Sequence, residues 1–297
     1  MANLKIVRER ITSVQNTQQI TKAMKMVSAA KLRRAQQAVQ KIRPYADKQN
    51  EMLRNILSNL GGQASTSFGV ERPLKKACVV VVTSNRGLCG AFNTNVIKEA
   101  ILAIEGKYAE ARDSGNLTIL PIGKKGNDVL RKRYPNATFN RSFVEIFSDL
   151  SFENVAQVSQ VLMDEFEAGN FDSITVAYGR FKNAATQFPE AEQWLPVPKM
   201  EATGGGNKAL ADYTFEPDME GLLKDLVPSI LQTTFQKFLL DTHASEHGAR
   251  MTAMDKATEN ANEMLKDLKL MYNKARQEAI TGEILEIVGG AAALESA

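Results

Sequence analysis

The chain has 297 residues, 43% hydrophobic, 24% charged and 7% aromatic, with a formal net charge of +3. That length allows a buried core in roughly two domains; the composition excludes disordered, collagenous and low-complexity chains, and +3 is too little charge to define a polyanion binder. Two cysteines, Cys78 and Cys89, are too few for a disulfide framework and lack zinc-ligand spacing, which points to a reducing compartment, while no stretch has the apolar length of a membrane span and Met1 to Arg10 has no apolar signal core.

The first element, residues 3 to about 59, carries Leu4, Val7, Ile11 and Val14 at alternating spacings of three and four. The pattern resumes with Met24 and Val27, then Ala35, Ala38, Ile42 and Tyr45, and passes Met52, Leu53, Ile56 and Leu60. This predicts a long helix with a narrow coiled-coil seam, kinked at Pro44 and ended by Gly61 and Gly62. Arg10, Lys22, Lys25, Lys31, Arg33, Arg34, Lys41 and Arg43 are met before the next acid, Asp47, so the remainder of the chain is net acidic. The bland account is a solvated helix face. No aromatic residue between Met1 and Pro44 is available to stack on bases, so a functional face would suit an acidic protein surface better than nucleic acid.

Between about 70 and 211 the period changes. Cys78–Thr83 reads as a buried parallel strand, followed by an amphipathic helix with Val96, Ile97, Ala100, Ile101 and Ile104. Leu117–Ile122 predicts a second strand, Gly126–Arg133 a short helix and Phe143–Phe147 a third strand. A helix with Phe152, Val155, Val158, Leu162 and Phe166 and a strand at Ser173–Tyr178 complete the alternation of a small doubly wound sheet, closed by a loop at Gly204, Gly205 and Gly206.

The third element opens at Pro217 and Asp218 and runs almost to the end, with Pro228 a second expected kink and Gly289 with Gly290 a frayed tip. Met251, Met254, Thr258, Ala261, Leu265, Leu268, Tyr272, Ala275 and Ala279 form the most regular heptad run in the chain. The expected architecture is therefore an antiparallel coiled coil of N- and C-terminal helices (1–60 and 212–297) with an inserted Rossmann-like α/β head (70–211). At about 1.5 Å per residue the helices would be roughly 85 and 115 Å long. Counting back from position 212 places Leu4 beside residue 269 and leaves a projecting apolar tip of Ile280, Ile284, Leu285, Ile287, Val288, Ala291 and Leu294. A partner is expected to surround such a tip.

Catalytic chemistry is thin. No phosphate loop is present, and Gly87 and Gly90 form only part of a dinucleotide fingerprint, for which a tight strand-to-helix turn is the simpler account. His243, Glu246 and His247 match the spacing of one class of zinc peptidase, but they include the only two histidines, and a hydrolytic zinc needs a further ligand and an open cleft. No catalytic residue, cofactor or metal is expected. A coupling part, a coiled-coil adaptor and an α/β enzyme with helical arms remain the three readings.

Three segments carry a resemblance. Ser13–Gln36 reads SVQNTQQITKAMKMVSAAKLRRAQ, Thr83–Asn93 reads TSNRGLCGAFN, and the C-terminal run has ASEHGARMTAMDKAT at Ala244–Thr258 and YNKARQEAITGEILEIVGGAAAL at Tyr272–Leu294. Together they resemble the gamma subunit of the F-type ATP synthase over effectively the whole chain. The resemblance implies a central rotor shaft without a catalytic site of its own. Its coiled coil and tip would sit within three alpha and three beta subunits, and its head, with the epsilon subunit, on the membrane ring of c subunits. Membrane contact would come only through that ring, on the cytoplasmic side of the cell inner membrane. Met24, with Lys22 and Lys25, would pass an acidic loop of beta, while Arg250, Arg276, Gln277 and Thr281 would meet the surrounding catch loops. Arg86, Gly87, Leu88, Cys89 and Gly90 make up the head motif. Asn85 departs from the aspartate expected there, and the two cysteines do not match the redox pair inserted in plastid chains. The short N-terminus favours a bacterial chain.

Overall fold

The computed structural model describes residues 2–59, 67–197 and 219–295. Leu60 to Gly62, the Gly204–Gly206 loop, the start signal at Pro217 and Asp218, and the side chains of Leu53, Ile56 and Leu294 lie outside the described residues. The chain divides into two compact units: Met1–Ser28 with Met251–Ala297, and Ala29–Arg250. Two long helices contribute to both, α1 (Ala2–Asn59) and α6 (Met219–Glu295). Helix α1 continues through Pro44, and α6 through Pro228, Gly289 and Gly290.

In the Ala29–Arg250 unit, the order β1 (Ala77–Val82), α2 (Phe92–Glu105), α3 (Ala109–Asp113), β2 (Leu117–Ile122), α4 (Lys124–Arg133), β3 (Thr138–Phe139), α5 (Phe152–Glu167), β4 (Ser173–Phe181) and β5 (Gln187–Leu195) builds one sheet. Its strand order is β3-β2-β1-β4-β5. Strands β1 to β4 are parallel and β5 is antiparallel to β4. The continuous apolar run of β1 has a simple cause. Ala77, Val79 and Val81 pack under α2 with Val96, Ile97, Ala100 and Ile104, whereas Cys78, Val80 and Val82 pack under α5 with Val155, Val158, Leu162 and Phe166. Both faces of the strand are covered, so both sets of alternating side chains must be apolar. Val227, Ile230, Leu231, Phe235, Phe238 and Leu239 of α6 join the α5 side of this core.

Two parts of the sheet differ from the expectation. Phe143–Phe147 is not a strand; it is a turn leading into a 3-10 helix at Ile146–Ser148, and the third strand is the two-residue β3. Phe143, Ile146, Phe147 and Leu150 pack half-buried against the core, at the spacing of a coil and not of a pleat. Strand β5 carries no apolar alternation because it is an edge. Its Pro189, Glu190 and Glu192 would be excluded from a central strand, and here Arg180 Nε donates to Glu190 at 2.7 Å across the pair.

In the other unit α1 and α6 pack antiparallel. Arg8 Nη2 donates to the Tyr272 hydroxyl at 2.8 Å, Gln18 Nε2 to Asn262 Oδ1, and the Lys25 ammonium to Asp255, while the Thr21 and Thr258 hydroxyls meet at 2.8 Å. This register sets Leu4 opposite Arg276, one turn beyond Tyr272, and not opposite residue 269. The offset of seven residues equals the distance from 212 to Met219, where the described α6 begins, and α1 meets that first stretch too, since Gln49 Nε2 donates to Ser229 Oγ at 3.2 Å.

The buried and half-buried stripe of α1 follows a strict heptad series: Leu4, Val7, Ile11, Val14, Gln18, Thr21, Lys25 and Ser28 in this unit, then Leu32, Ala35, Val39, Ile42, Ala46 and Gln49 in the other. The expected seam residues Val27 and Tyr45 are therefore displaced. Val27 is 58% exposed beside Ser28 at 3%, and Tyr45 is exposed beside the buried Ala46. On α6 all nine expected seam positions from Met251 to Ala279 are buried or half-buried, and from Ala261 onward every residue between them is exposed.

Candidate functional site

In the Met1–Ser28 and Met251–Ala297 unit, the expected contact residues fall on different surfaces. Lys22 is exposed and Met24 half-buried, while Lys25 lies on the seam and is paired with Asp255. Arg276, Gln277 and Thr281 are exposed on α6, where the Thr281 hydroxyl donates to the Gln277 carbonyl at 2.9 Å. Beyond Ala279 the helix loses cover. Every residue from 283 to 292 is exposed, and Ile280, Ile284, Leu285, Ile287 and Val288 present large apolar side chains. Such a contiguous stripe is the signature of a surface that another protein covers.

In the Ala29–Arg250 unit the strand order reverses direction between β1 and β4, the place where open α/β sheets hold their ligands. Here α6 fills that place. The Ser245 hydroxyl donates to the Gly179 carbonyl at 2.9 Å, and the Gly179 amide donates to Thr242 Oγ1 at 3.2 Å. Gly179 is required by the packing of α2 on the strand, since a Cβ there would lie 2.5 Å from the Phe92 ring, while Ser245 of α6 would be at an ordinary 3.4 Å.

The turn after β1 is held from several sides. The Ser84 amide donates to Asn93 Oδ1 at 3.0 Å, and Asn93 Nδ2 donates to the Ser84 hydroxyl at 2.8 Å and to the buried Cys89 sulfur at 3.2 Å. Leu88 takes a left-handed φ of 63° with its side chain 64% exposed, and Gly90 takes φ 59°. Holding a leucine in that region costs on the order of 1 kcal/mol or more, which the surrounding bonds must offset.

The neighbouring α4 N-terminus has the position of a phosphate cradle, but its amides are engaged. Lys124 N donates to Asn85 Oδ1 at 3.1 Å, Lys125 N to the Ser84 carbonyl at 3.2 Å and Gly126 N to Thr83 Oγ1 at 2.8 Å. Asn85 thus supplies a capping oxygen, which an aspartate would supply equally.

Arg250 is 7% exposed, and its guanidinium clamps this turn. Nη2 donates to the carbonyls of Arg86 at 2.9 Å and Gly87 at 3.2 Å, while Nη1 donates to Glu246 Oε1 at 2.6 Å. Nη1 also reaches His247 Nδ1 at 3.4 Å, and His247 Nε2 lies 3.1 Å from His243 Nε2. The peptidase-like triplet therefore has its carboxylate on an arginine and its imidazoles on each other. Burial drives both imidazoles down, His243 to about 4 and His247 to about 3, and raises the Glu246 carboxyl despite Arg250 beside it. Among the described residues no group of three or more His, Cys, Asp or Glu side chains is placed to hold a metal ion. The Cys78 thiol, pushed up to about 12 by burial, stays protonated at neutral pH.

Sequence reasoning had not singled out Asp255, Asn262 and Asn93, nor the clamping role of Glu246. Asp255 could not be anticipated from apolar periodicity, because its partner Lys25 occupies a heptad position with a cation.

Comparison with known proteins bears on all of these positions. A family model described as ATP synthase matches residues 3–294. The ATP synthase gamma chain of Cytophaga hutchinsonii is 51% identical over 297 residues, spanning 100% of both chains. That of Flavobacterium psychrophilum is 52% identical over 295 residues, spanning 99% of this chain and 100% of the relative. Among solved structures, a chain of the Euglena gracilis mitochondrial ATP synthase, OSCP/F1/c-ring, in rotational state 3 aligns with a TM-score of 0.62 at 20% identity, covering 99% of this chain and 95% of that one. A chain of the Tetrahymena thermophila central stalk/c-ring structure aligns with a TM-score of 0.55 at 24% identity, covering 80% and 99%. These two likenesses speak to the fold, and the matches spanning full length to bacterial relatives place the chain in the ATP synthase gamma chain family.

Proposed function

We propose that this chain is the rotating central shaft of an F-type ATP synthase and has no catalytic site of its own. The observation that carries the proposal furthest is the uncovered apolar stripe of α6 from Ile280 to Val288. In this reading three alpha and three beta subunits surround the stripe, the α/β head binds the epsilon subunit and the c-ring, and the shaft's asymmetry drives the beta sites through successive states. Membrane association runs through the c-ring alone, with the shaft on the cytoplasmic face of the inner membrane; among the described residues no helix is long and apolar enough to cross a membrane.

Lys22 and Met24 face the acidic loop of beta, with Lys25 restrained beside them by Asp255. Arg276, Gln277 and Thr281 contact the catch loops. For Arg250 the geometry favours an indirect part in this contact, through the Arg86–Gly90 turn it holds. The filled switch point and the engaged α4 amides support a head that binds proteins and not nucleotides.

Reconstitution tests the proposal. The purified chain should hydrolyse no ATP, and mixing it with alpha and beta subunits of a close bacterial relative should give a single assembly with ATPase activity. A chain that stays apart from alpha and beta on gel filtration, or that turns over ATP alone, would overturn the reading.

A further inference from the structure

The imidazole pair on α6 has a fixed proton count. Arginine only donates, so His247 Nδ1 must accept from Arg250 Nη1, which leaves the proton of neutral His247 on Nε2. That proton points at His243 Nε2, 3.1 Å away, so His243 accepts there and carries its own proton on Nδ1. Both remaining lone pairs, His243 Nε2 and His247 Nδ1, are thus already facing a donor. A third proton has no neutral place to go: on either atom it sets two N–H groups against each other and breaks one bond of the relay.

The surroundings sharpen the effect. From α1, Lys31 adds a cation to the field of both rings, and Phe147 stacks on His243 with centroids 6.0 Å apart. On α6 itself Arg250 is the second cation and Glu246 the anion. We propose that His243 and His247 form an acid-released latch: a third proton on the pair breaks the relay to Arg250, and Arg250 lets go of the Arg86 and Gly87 carbonyls, freeing the strained turn that follows β1. Acid weakens the latch from both sides, since it neutralises Glu246 as it charges the imidazoles, and Arg250 then exchanges an anionic neighbour for a cationic one.

The chain carries its own reporters. Cys89 is buried within the turn and Cys78 at the centre of the sheet. The full-length chain is treated with 4,4′-dithiodipyridine, which reacts with thiols in acid, from pH 7 to pH 3.5, and each cysteine is followed by peptide mass spectrometry relative to free cysteine. The latch predicts that the Cys89 ratio rises at least tenfold between pH 6 and pH 4 while Cys78 stays protected, and that the rise is absent in the double variant His243→Gln/His247→Gln. A flat Cys89 ratio, simultaneous exposure of both cysteines, or a rise that persists in the double variant would each overturn it. Should the double variant fail to fold, proton NMR of the parent decides: the only two histidines should both titrate below pH 5, and titration of either near the ordinary value of about 6.5 refutes the latch.

Discussion

Asp241 shows how a single residue can act against the fold it belongs to. It is 1% exposed, with Oδ1 unpartnered, and burial raises its carboxyl to about 6 although Arg43, Lys237 and Arg180 pull it down. The folded chain therefore holds this proton more tightly than the unfolded chain does. The stability it contributes is full below the unfolded value of about 3.9 and is lost as pH rises through 6. Asp241→Asn should thus match the parent near pH 4 and exceed it above pH 6.5 by on the order of 2 kcal/mol, measured by urea unfolding across that range. A constant difference at all pH values would show that the carboxyl does not titrate in this window. His243 and His247 work in the opposite sense. Their folded values lie below the unfolded value of about 6.5, so their contribution is full above it and declines as pH falls toward 4.

At the scale of elements, what was legible depended on what covers each segment. Strand β1 and helices α2 and α5 were readable because their apolar positions meet apolar neighbours, on two faces for the strand and one for each helix. The α6 seam was readable for the same reason. The α1 seam was readable only where it is apolar: at Gln18, Thr21, Lys25 and Ser28 the heptad continues with polar side chains, so an apolar search slid to Met24 and Val27. Strand β5 was hidden because an edge satisfies its charges across the strand pair and toward solvent. Of the proposed contact residues, Lys22, Arg276, Gln277 and Thr281 came from resemblance and not from spacing, since exposed side chains leave no periodic trace, while the half-buried Met24 was met in the apolar spacing and only its contact role came from resemblance.

The polar seam has measurable consequences. Thr21→Val or Thr258→Val alone should each cost about 0.5–1 kcal/mol, because each removes the bond across the seam while the remaining hydroxyl keeps its acceptor on its own helix, the Gln18 or Met254 carbonyl, and the double variant should lose less than the sum of the two. A double-mutant cycle by thermal unfolding reads this coupling, and additive losses would mean that the hydroxyls do not interact. Leu265→Asp should destabilise by about 3 kcal/mol or more, since it buries a carboxylate without a partner, while Lys269→Ala on the exposed face should change little. Equal melting temperatures for these two variants would exclude Leu265 from the seam.

For the whole molecule the central prediction concerns motion against a partner. A half-buried, uncharged Met24 beside an already paired Lys25 suits sliding past an acidic loop. At the proposed bearing contact the ammonium added by Met24→Lys would meet a carboxylate, and a charge-assisted bond contributes about 1.5–3 kcal/mol. Rotation would slow by roughly one to two decades if that bond must break in the limiting step. The variant should assemble normally yet hydrolyse ATP more slowly or pump protons less efficiently in membrane vesicles, with Met24→Leu like the parent. Parental rates in both assays for Met24→Lys would remove this position from the bearing.

The helix that fills the switch point of the sheet has a mechanical consequence. A bound ligand leaves at a rate set by its affinity, but this occupant is tethered at both ends by its own chain. Force applied along α6 would load in shear the bonds that join Thr242 and Ser245 with Gly179 and Arg250 with the Arg86 and Gly87 carbonyls. Bonds strained together share the load and rupture together, whereas bonds peeled one at a time fail in sequence. The groove that serves other α/β proteins as a place of exchange has become, in this chain, a keyed joint.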